Sequence, residues 1–206
     1  MLFPEQQIDT MSQYHQGYAD LLHKGMLSID PEALTEVASL LEERIRQGST
    51  IFACGNGGST AISNHLLCDV SKCVQTDTEL VPKVVSLSAC TEIITAIAND
   101  ISYESVFLYQ LRTMASPGDM LFTISSSGDS ENVVRALEWA NSNKVTTVAL
   151  TGFDGGRTAR LAHYNLHVEG HNYGIVEDCH QSIMHMLSQF VRQKNMTPSL
   201  VPERKF

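Results

Sequence analysis

Four polar side chains attract attention by type and spacing before any fold is assigned. His65 and Asp69 are four residues apart, which on a helix sets imidazole and carboxylate on one face, within reach of a common ion. Glu177 and His185 stand eight apart in the last helical pattern of the chain. A lone histidine on an amphipathic helix is ordinarily solvated or satisfied, so neither pair makes a site by itself. His180, on the same pattern, receives no role.

Two loops carry a different chemistry. Cys54-Gly55-Asn56-Gly57-Gly58-Ser59-Thr60 follows a short apolar run and opens a helical pattern. Glycines there permit positive φ and close backbone approach, and a helix N-terminus offers free N–H groups to an anion. The loop lacks the lysine of a Walker A motif, and Thr60 stands where a dinucleotide fingerprint needs its third glycine. The second loop, Ser125-Ser126-Ser127-Gly128-Asp129-Ser130, again joins an apolar run to a helical pattern. Ser130 or Asp129 could simply cap that helix. A cap needs one hydroxyl, however, and four flank this glycine. Hydroxyls and backbone donors converging there suit a phosphate monoester held without lysine or metal.

The elements that must position these groups follow from periodicity. Short β-branched or apolar runs at Thr50–Cys54, Lys83–Leu87, Asp119–Ile124, Val145–Leu150 and Tyr164–Val168 read as strands. Helical patterns at Thr60–Lys72, Cys90–Ala98, Tyr103–Ala115, Ser130–Ala140 and Ile175–Arg192 alternate with them. Alternation of this kind predicts βαβ units, a parallel sheet and helices on both faces. Ligands of such a sheet bind beyond the carboxyl ends of its strands, where both loops fall. Two further helices precede the sheet, the second marked by Asp30-Pro31 at its start and Gly48 at its end. The expected organisation is an N-terminal helical hairpin over 1–48, an α/β domain over 49–194 and a loose tail over 195–206 that contains two prolines.

Composition bounds the partners. The chain has 206 residues with 14 Lys+Arg against 23 Asp+Glu, a net charge of −9, which lacks the footprint of a direct nucleic-acid or anionic-membrane binder. No apolar stretch approaches the ~20 residues of a membrane span, and the N-terminus shows no signal peptide. Five cysteines, without a CxxC pair, suit a reducing, cytoplasmic setting.

Together, strand-GNGGS-helix and strand-SSSGDS-helix resemble the SIS (sugar isomerase) phosphosugar-binding domain, and within it the sedoheptulose 7-phosphate isomerases. The resemblance runs from about Met11 to Arg192 and includes Ala98-Asn99-Asp100 and Leu150-Thr151-Gly152-Phe153-Asp154-Gly155-Gly156. It implies a five-stranded parallel flavodoxin-like sheet. It also implies that Asn56, Gly57, Gly58, Ser59, Asn99, Asp100, Ser125, Ser126, Ser127 and Ser130 hold the sugar phosphate. The implied reaction converts sedoheptulose 7-phosphate to D-glycero-D-manno-heptose 7-phosphate through a cis-enediolate. By the same likeness, His65, Asp69, Glu177 and His185 surround the reacting carbons and bind a divalent metal such as zinc, with Asp69 as base and His185 as acid. The homotetramers of the family carry interface active sites.

Two departures from the family pattern matter. Asp69 stands where glutamate is expected, one methylene shorter, and Glu177 stands where glutamine is expected, adding a charge and a second candidate base. Zn, Mn or Fe could each suit two carboxylates with imidazoles, or the four groups could serve as acid and base alone. Cys68 is a possible substitute ligand that reads more simply as a small core residue. Eight residues of straight helix span ~12 Å, so Glu177 and His185 of one chain meet at one ion with difficulty. Neighbouring subunits, or an irregular helix start near Gly174, would relieve this. The apolar stripe Tyr14, Tyr18, Leu21 and Leu22 has no sheet partner assigned in its own chain, so the N-terminal helices are expected to form an oligomer interface. The competing reading is a non-catalytic SIS protein, either a sugar-phosphate sensor or an adaptor for a replication initiator. Those adaptors lack the carboxylate of the first helix and the last-helix histidine, whereas Asp69 and His185 are both present.

Overall fold

The computed structural model describes residues 2–206. Five strands, β1 (Thr50–Gly55), β2 (Lys83–Ser86), β3 (Met120–Ser125), β4 (Thr146–Thr151) and β5 (Tyr164–His167), pair in parallel in the order β2-β1-β3-β4-β5. Every side chain of β3 is buried. That explains its near-continuous apolar run, since a parallel strand covered on both faces has no solvent side to alternate with. Asp119 falls just outside the strand. Its carboxylate accepts from the backbone N–H groups of Thr50 and Ser116, both at 2.8 Å, tying the start of β1 to the turn before β3.

Helices α1 (Met11–Leu27), α2 (Pro31–Arg46), α3 (Gly58–Cys68) and α8 (Tyr173–Asn195) share one apolar core. Helices α4 (Thr91–Asp100), α5 (Val106–Met114) and α6 (Glu131–Ser142) cover the other face, and α7 (Gly156–Leu161) fills the crossover to β5. The short α7 was not expected from the sequence, because its six residues are too few to show a period. The Thr60–Lys72 pattern divides: α3 ends at Cys68 and Asp69–Cys73 winds as a π-helical turn. Single π turns of this kind occur often at functional sites. Asp30 caps α2 by accepting from Glu32 N–H, with Pro31 in the first turn.

Two expectations change. The stripe on α1 does have a partner in its own chain: Tyr18, Leu21 and Leu22 pack on the core that includes Ile175, Cys179 and Ile183 of α8, and Tyr18 Oη donates to Asp178 at 2.6 Å. Tyr14 sits against the Phe3 ring. The premise that this stripe lacks cover therefore falls. The tail is not loose either. Pro198–Glu203 forms a 3₁₀ segment, and buried Arg192 donates to Lys205 O, Thr76 O and Asp77 Oδ2 while lying over the Phe206 ring. A buried guanidinium needs such partners on every side, and the tail supplies two of them. Helix α8 starts regularly, with Asn172 accepting from Ile175 N–H, so the irregularity considered near Gly174 is absent. No helix among the described residues is long and apolar enough to cross a membrane, and all five cysteines are free.

Candidate functional site

The strand order reverses between β1 and β3, and both singled-out loops leave the sheet at that switch point, where ligands of doubly wound sheets bind. The glycine loop is fixed from three sides. Buried Ser88 accepts from Gly55 N–H and donates to Gly55 O, at 3.2 and 2.9 Å. Thr60 Oγ1 donates to the same carbonyl at 2.8 Å. The Asn56 amide pairs reciprocally with that of Asn132 at 2.9 Å and also accepts from Tyr103 Oη at 2.8 Å. Gly57 adopts φ +55°, a conformation that strains other residues. It lets α3 begin without a side-chain cap, leaving first-turn N–H groups open to an anion. Gly57 and Gly58 are exposed, and Ser59 is buried in the first turn. Ser88, Tyr103 and Asn132 were not singled out by sequence; their importance comes from what they hold.

In the second loop the hydroxyl groups are largely free of internal duty. Ser125 Oγ accepts from Gly128 N–H and Ser127 Oγ from Asp129 N–H. Ser126 Oγ is buried with no partner, and Ser130 heads α6 without a side-chain cap bond. Asp129 does not cap α6 but binds Arg157. Arg157 also pairs with Glu131; the Arg157 hydrogen bonds hold the Asp129 carboxyl below its usual range, and hydrogen bonds from Arg135 and then Arg157 do the same for Glu131. The capping reading thus explains neither residue, and among the described residues no hydroxyl of Ser125, Ser126, Ser127 or Ser130 donates within the chain. Gly128, at φ +65°, packs where a side chain would collide with the Gly155 carbonyl, so the 152–156 turn braces the loop. Thr158 Oγ1, close behind, is another buried hydroxyl without a partner.

Helix α3 runs from the glycine loop to the second cluster. His65 lies seven residues, about 10 Å of helix, beyond Gly58. Its Nε2 is 3.3 Å from Asp69 Oδ1, and His185 Nε2 on α8 is 3.7 Å from Asp69 Oδ2. The two imidazole rings meet edge to face at 4.9 Å. One donor atom from each of the three residues lies within 4.8 Å of the others. Neighbouring donors around a tetrahedral zinc with bonds of roughly 2.0–2.2 Å sit about 3.4 Å apart, so type and spacing fit a divalent cation. Gln181, also missed in the sequence, reaches His65 Nδ1 at 2.9 Å and His185 Nε2 at 3.1 Å. Its spacing of four from His185 was the available signal.

Glu177 stands apart from this cluster. Two turns earlier on α8, its carboxylate lies against Gly58, so closely that a side chain at 58 would collide with it. Burial, then the neighbouring Asp178, raises its carboxyl above the ordinary value. Asn99 and Asp100 end α4, exposed, with Asn99 Nδ2 donating to Asp100 Oδ1, and no described bond joins them to either loop. Cys68 is exposed rather than a core residue and is not part of the cluster. His180 is fully buried, with one ring nitrogen 3.1 Å from Thr151 O and the other unpartnered.

Comparison with known proteins gives the family and agrees with the fold. The SIS domain family matches residues 13–152. The phosphoheptose isomerase of Aquifex aeolicus is 32% identical over 162 residues, 79% of this chain and 84% of that protein. The solved phosphoheptose isomerase of Neisseria gonorrhoeae superposes with a TM-score of 0.80 at 28% identity, over 88% of this chain and 98% of that one. That of Francisella tularensis gives 0.81 at 25% identity, over 89% and 96%. The chain belongs to the SIS domain family, among the phosphoheptose isomerases.

Proposed function

We propose that the protein is an aldose–ketose isomerase that converts sedoheptulose 7-phosphate to D-glycero-D-manno-heptose 7-phosphate. One observation carries the reading: the glycine loop opens α3 and His65 and Asp69 stand at its other end, where His185 of α8 meets them. The phosphate is held at the switch point by first-turn N–H groups of α3 and the undonated hydroxyls of Ser125, Ser126, Ser127 and Ser130, with Asn56 fixing the loop. Asn99 and Asp100 complete the sugar contacts.

Moving a carbonyl between C1 and C2 needs a base for the carbon-bound proton and an acid for the neighbouring oxygen. Asp69 takes the proton, and the His185 imidazole, 3.7 Å from its second oxygen, donates at oxygen as the cis-enediolate forms. Glu177, with its raised carboxyl, is protonated in larger part than an ordinary glutamate and can hydrogen-bond a sugar hydroxyl near the glycine loop. His65 and Asp69 would hold a divalent cation, with His185 joining them when its Nε2 carries no hydrogen, a mixed imidazole and carboxylate set that suits zinc. When bound, such an ion supplies a Lewis acid for the carbonyl oxygen. A homotetramer acting in a reducing cytoplasm is part of the same reading. It is supported by the apolar side chains that Met186, Phe190 and Phe206 expose beside one another, and by the free cysteines.

The test is direct assay of the purified protein with the ketose phosphate, with and without added divalent metal. Formation of the aldoheptose phosphate is expected. Binding of sugar phosphate without turnover would instead identify a sensor.

A further inference from the structure

We propose that the side-chain amide of Gln181 sets the hydrogens on both cluster histidines at once and so opens or closes the His65–Asp69 pair. One amide atom lies 2.9 Å from His65 Nδ1 and 3.1 Å from His185 Nε2. A 180° turn of an amide exchanges its NH2 and its oxygen at nearly the same place, so two arrangements are available. With nitrogen inward, the two amide hydrogens go to lone pairs on both rings. The His65 hydrogen then sits on Nε2 and faces Asp69 Oδ1 at 3.3 Å, which closes the pair to a cation.

With oxygen inward, it accepts a hydrogen from His65 Nδ1 and another from His185 Nε2. The His65 Nε2 lone pair now faces a carboxylate oxygen at 3.3 Å. Two acceptors at that distance repel unless a cation lies between them, so the pair becomes an open cation site. The same turn leaves the hydrogen on His185 Nε2, so in this form His65 Nε2 and Asp69 face the cation and His185 keeps the hydrogen that a proton donor to substrate needs. Gln181 is thus a positioning residue acting through both imidazoles. A partner on the outer nitrogen of a ligating histidine commonly has this part, fixing which nitrogen faces the ion. Glu177, expected from the sequence to complete the cluster, lies instead against Gly58.

The inference rests on the cation reading above for its consequence but not for its geometry, and two measurements separate them. Long-range ¹H–¹⁵N spectra of the metal-free, histidine-labelled full chain report the tautomer of each ring. With Gln181 the two rings are expected to carry opposite tautomers; in Gln181→Leu both Nε2 atoms, 3.3 and 3.7 Å from Asp69 oxygens, should carry the hydrogen, and unchanged tautomers in a folded variant would overturn the proposal. Zinc affinity is read by competition with a chromophoric chelator. Gln181→Leu is expected to bind zinc on the order of 10- to 100-fold more weakly. Gln181→Glu, which presents acceptors only and mimics the oxygen-inward form, should bind at least as tightly as wild type. Equal losses in both variants would overturn the proposal. Wild-type protein that binds no zinc would sink the cation reading and leave the tautomer spectra to decide.

Discussion

Asp69 and Glu177 are the two carboxylates whose exchange with the family pattern first raised a question, and their surroundings now differ clearly. Asp69 lies between two imidazoles, whereas Glu177 is set against the glycine loop. Asp69→Asn is expected to lower turnover by a factor on the order of 10² or more. Glu177→Gln keeps the hydrogen-bonding shape and should be milder; steady-state kinetics showing the reverse order would move the base to Glu177. His180 gives a separate, pH-dependent expectation. Burial lowers its pKa to about 4, against roughly 6.5 in an unfolded chain. Between those values the unfolded chain binds more protons, so the contribution is complete above the higher one and is lost as pH falls through the window. Its size is at most about 3 kcal/mol. Thermal melts of His180→Gln between pH 7 and 4 should show a shallower loss of stability than wild type; equal slopes would refute this. His65, Asp69 and His185 were legible because a helical period of four predicts shared faces. Gln181 was legible only as a neighbour of His185, four residues on; its reach to His65 depends on how α8 leans on α3, which no local spacing encodes.

The glycine and serine loops proposed to hold phosphate are elements rather than residues, and their legibility came from position: each follows a strand and opens a helix. Replacing both Ser125 and Ser127 with Ala removes two hydroxyl donors to an anion, each worth roughly 1.5–3 kcal/mol. Sugar-phosphate affinity by calorimetry should fall at least tenfold, with the melting temperature of the ligand-free protein nearly unchanged. Unaltered affinity in a folded variant would confine these serines to loop structure. All five strands were visible as β-branched or apolar runs, with ends shifted by a residue where Asp119 anchors a turn instead of joining β3. The short α7 was hidden by its length and the π turn at Asp69–Cys73 by the helical pattern it continues, whereas the tail was hidden because it is fixed by distant partners. Arg192 exemplifies this, since its partners Asp77 and Lys205 come from separate segments. Removing residues 198–206 exposes that guanidinium. A lower melting temperature is expected, and an unchanged one would show that the clasp contributes nothing.

At the scale of the molecule, the proposed function requires an acidic chain with net charge −9 to bind an anionic sugar phosphate through local donors rather than through its overall field. The N-terminal helices join the main core instead of standing apart, so the case for assembly rests on other surfaces. Light scattering should give four times the 22.7 kDa chain mass, and a monomer at micromolar concentration would remove assembly from the proposal. The central claim is the reaction itself. Purified wild-type protein, supplied with sedoheptulose 7-phosphate and zinc, should accumulate D-glycero-D-manno-heptose 7-phosphate by NMR, and Asp69→Asn should not. No interconversion of the two by folded wild-type protein, with or without divalent metal, would contradict it.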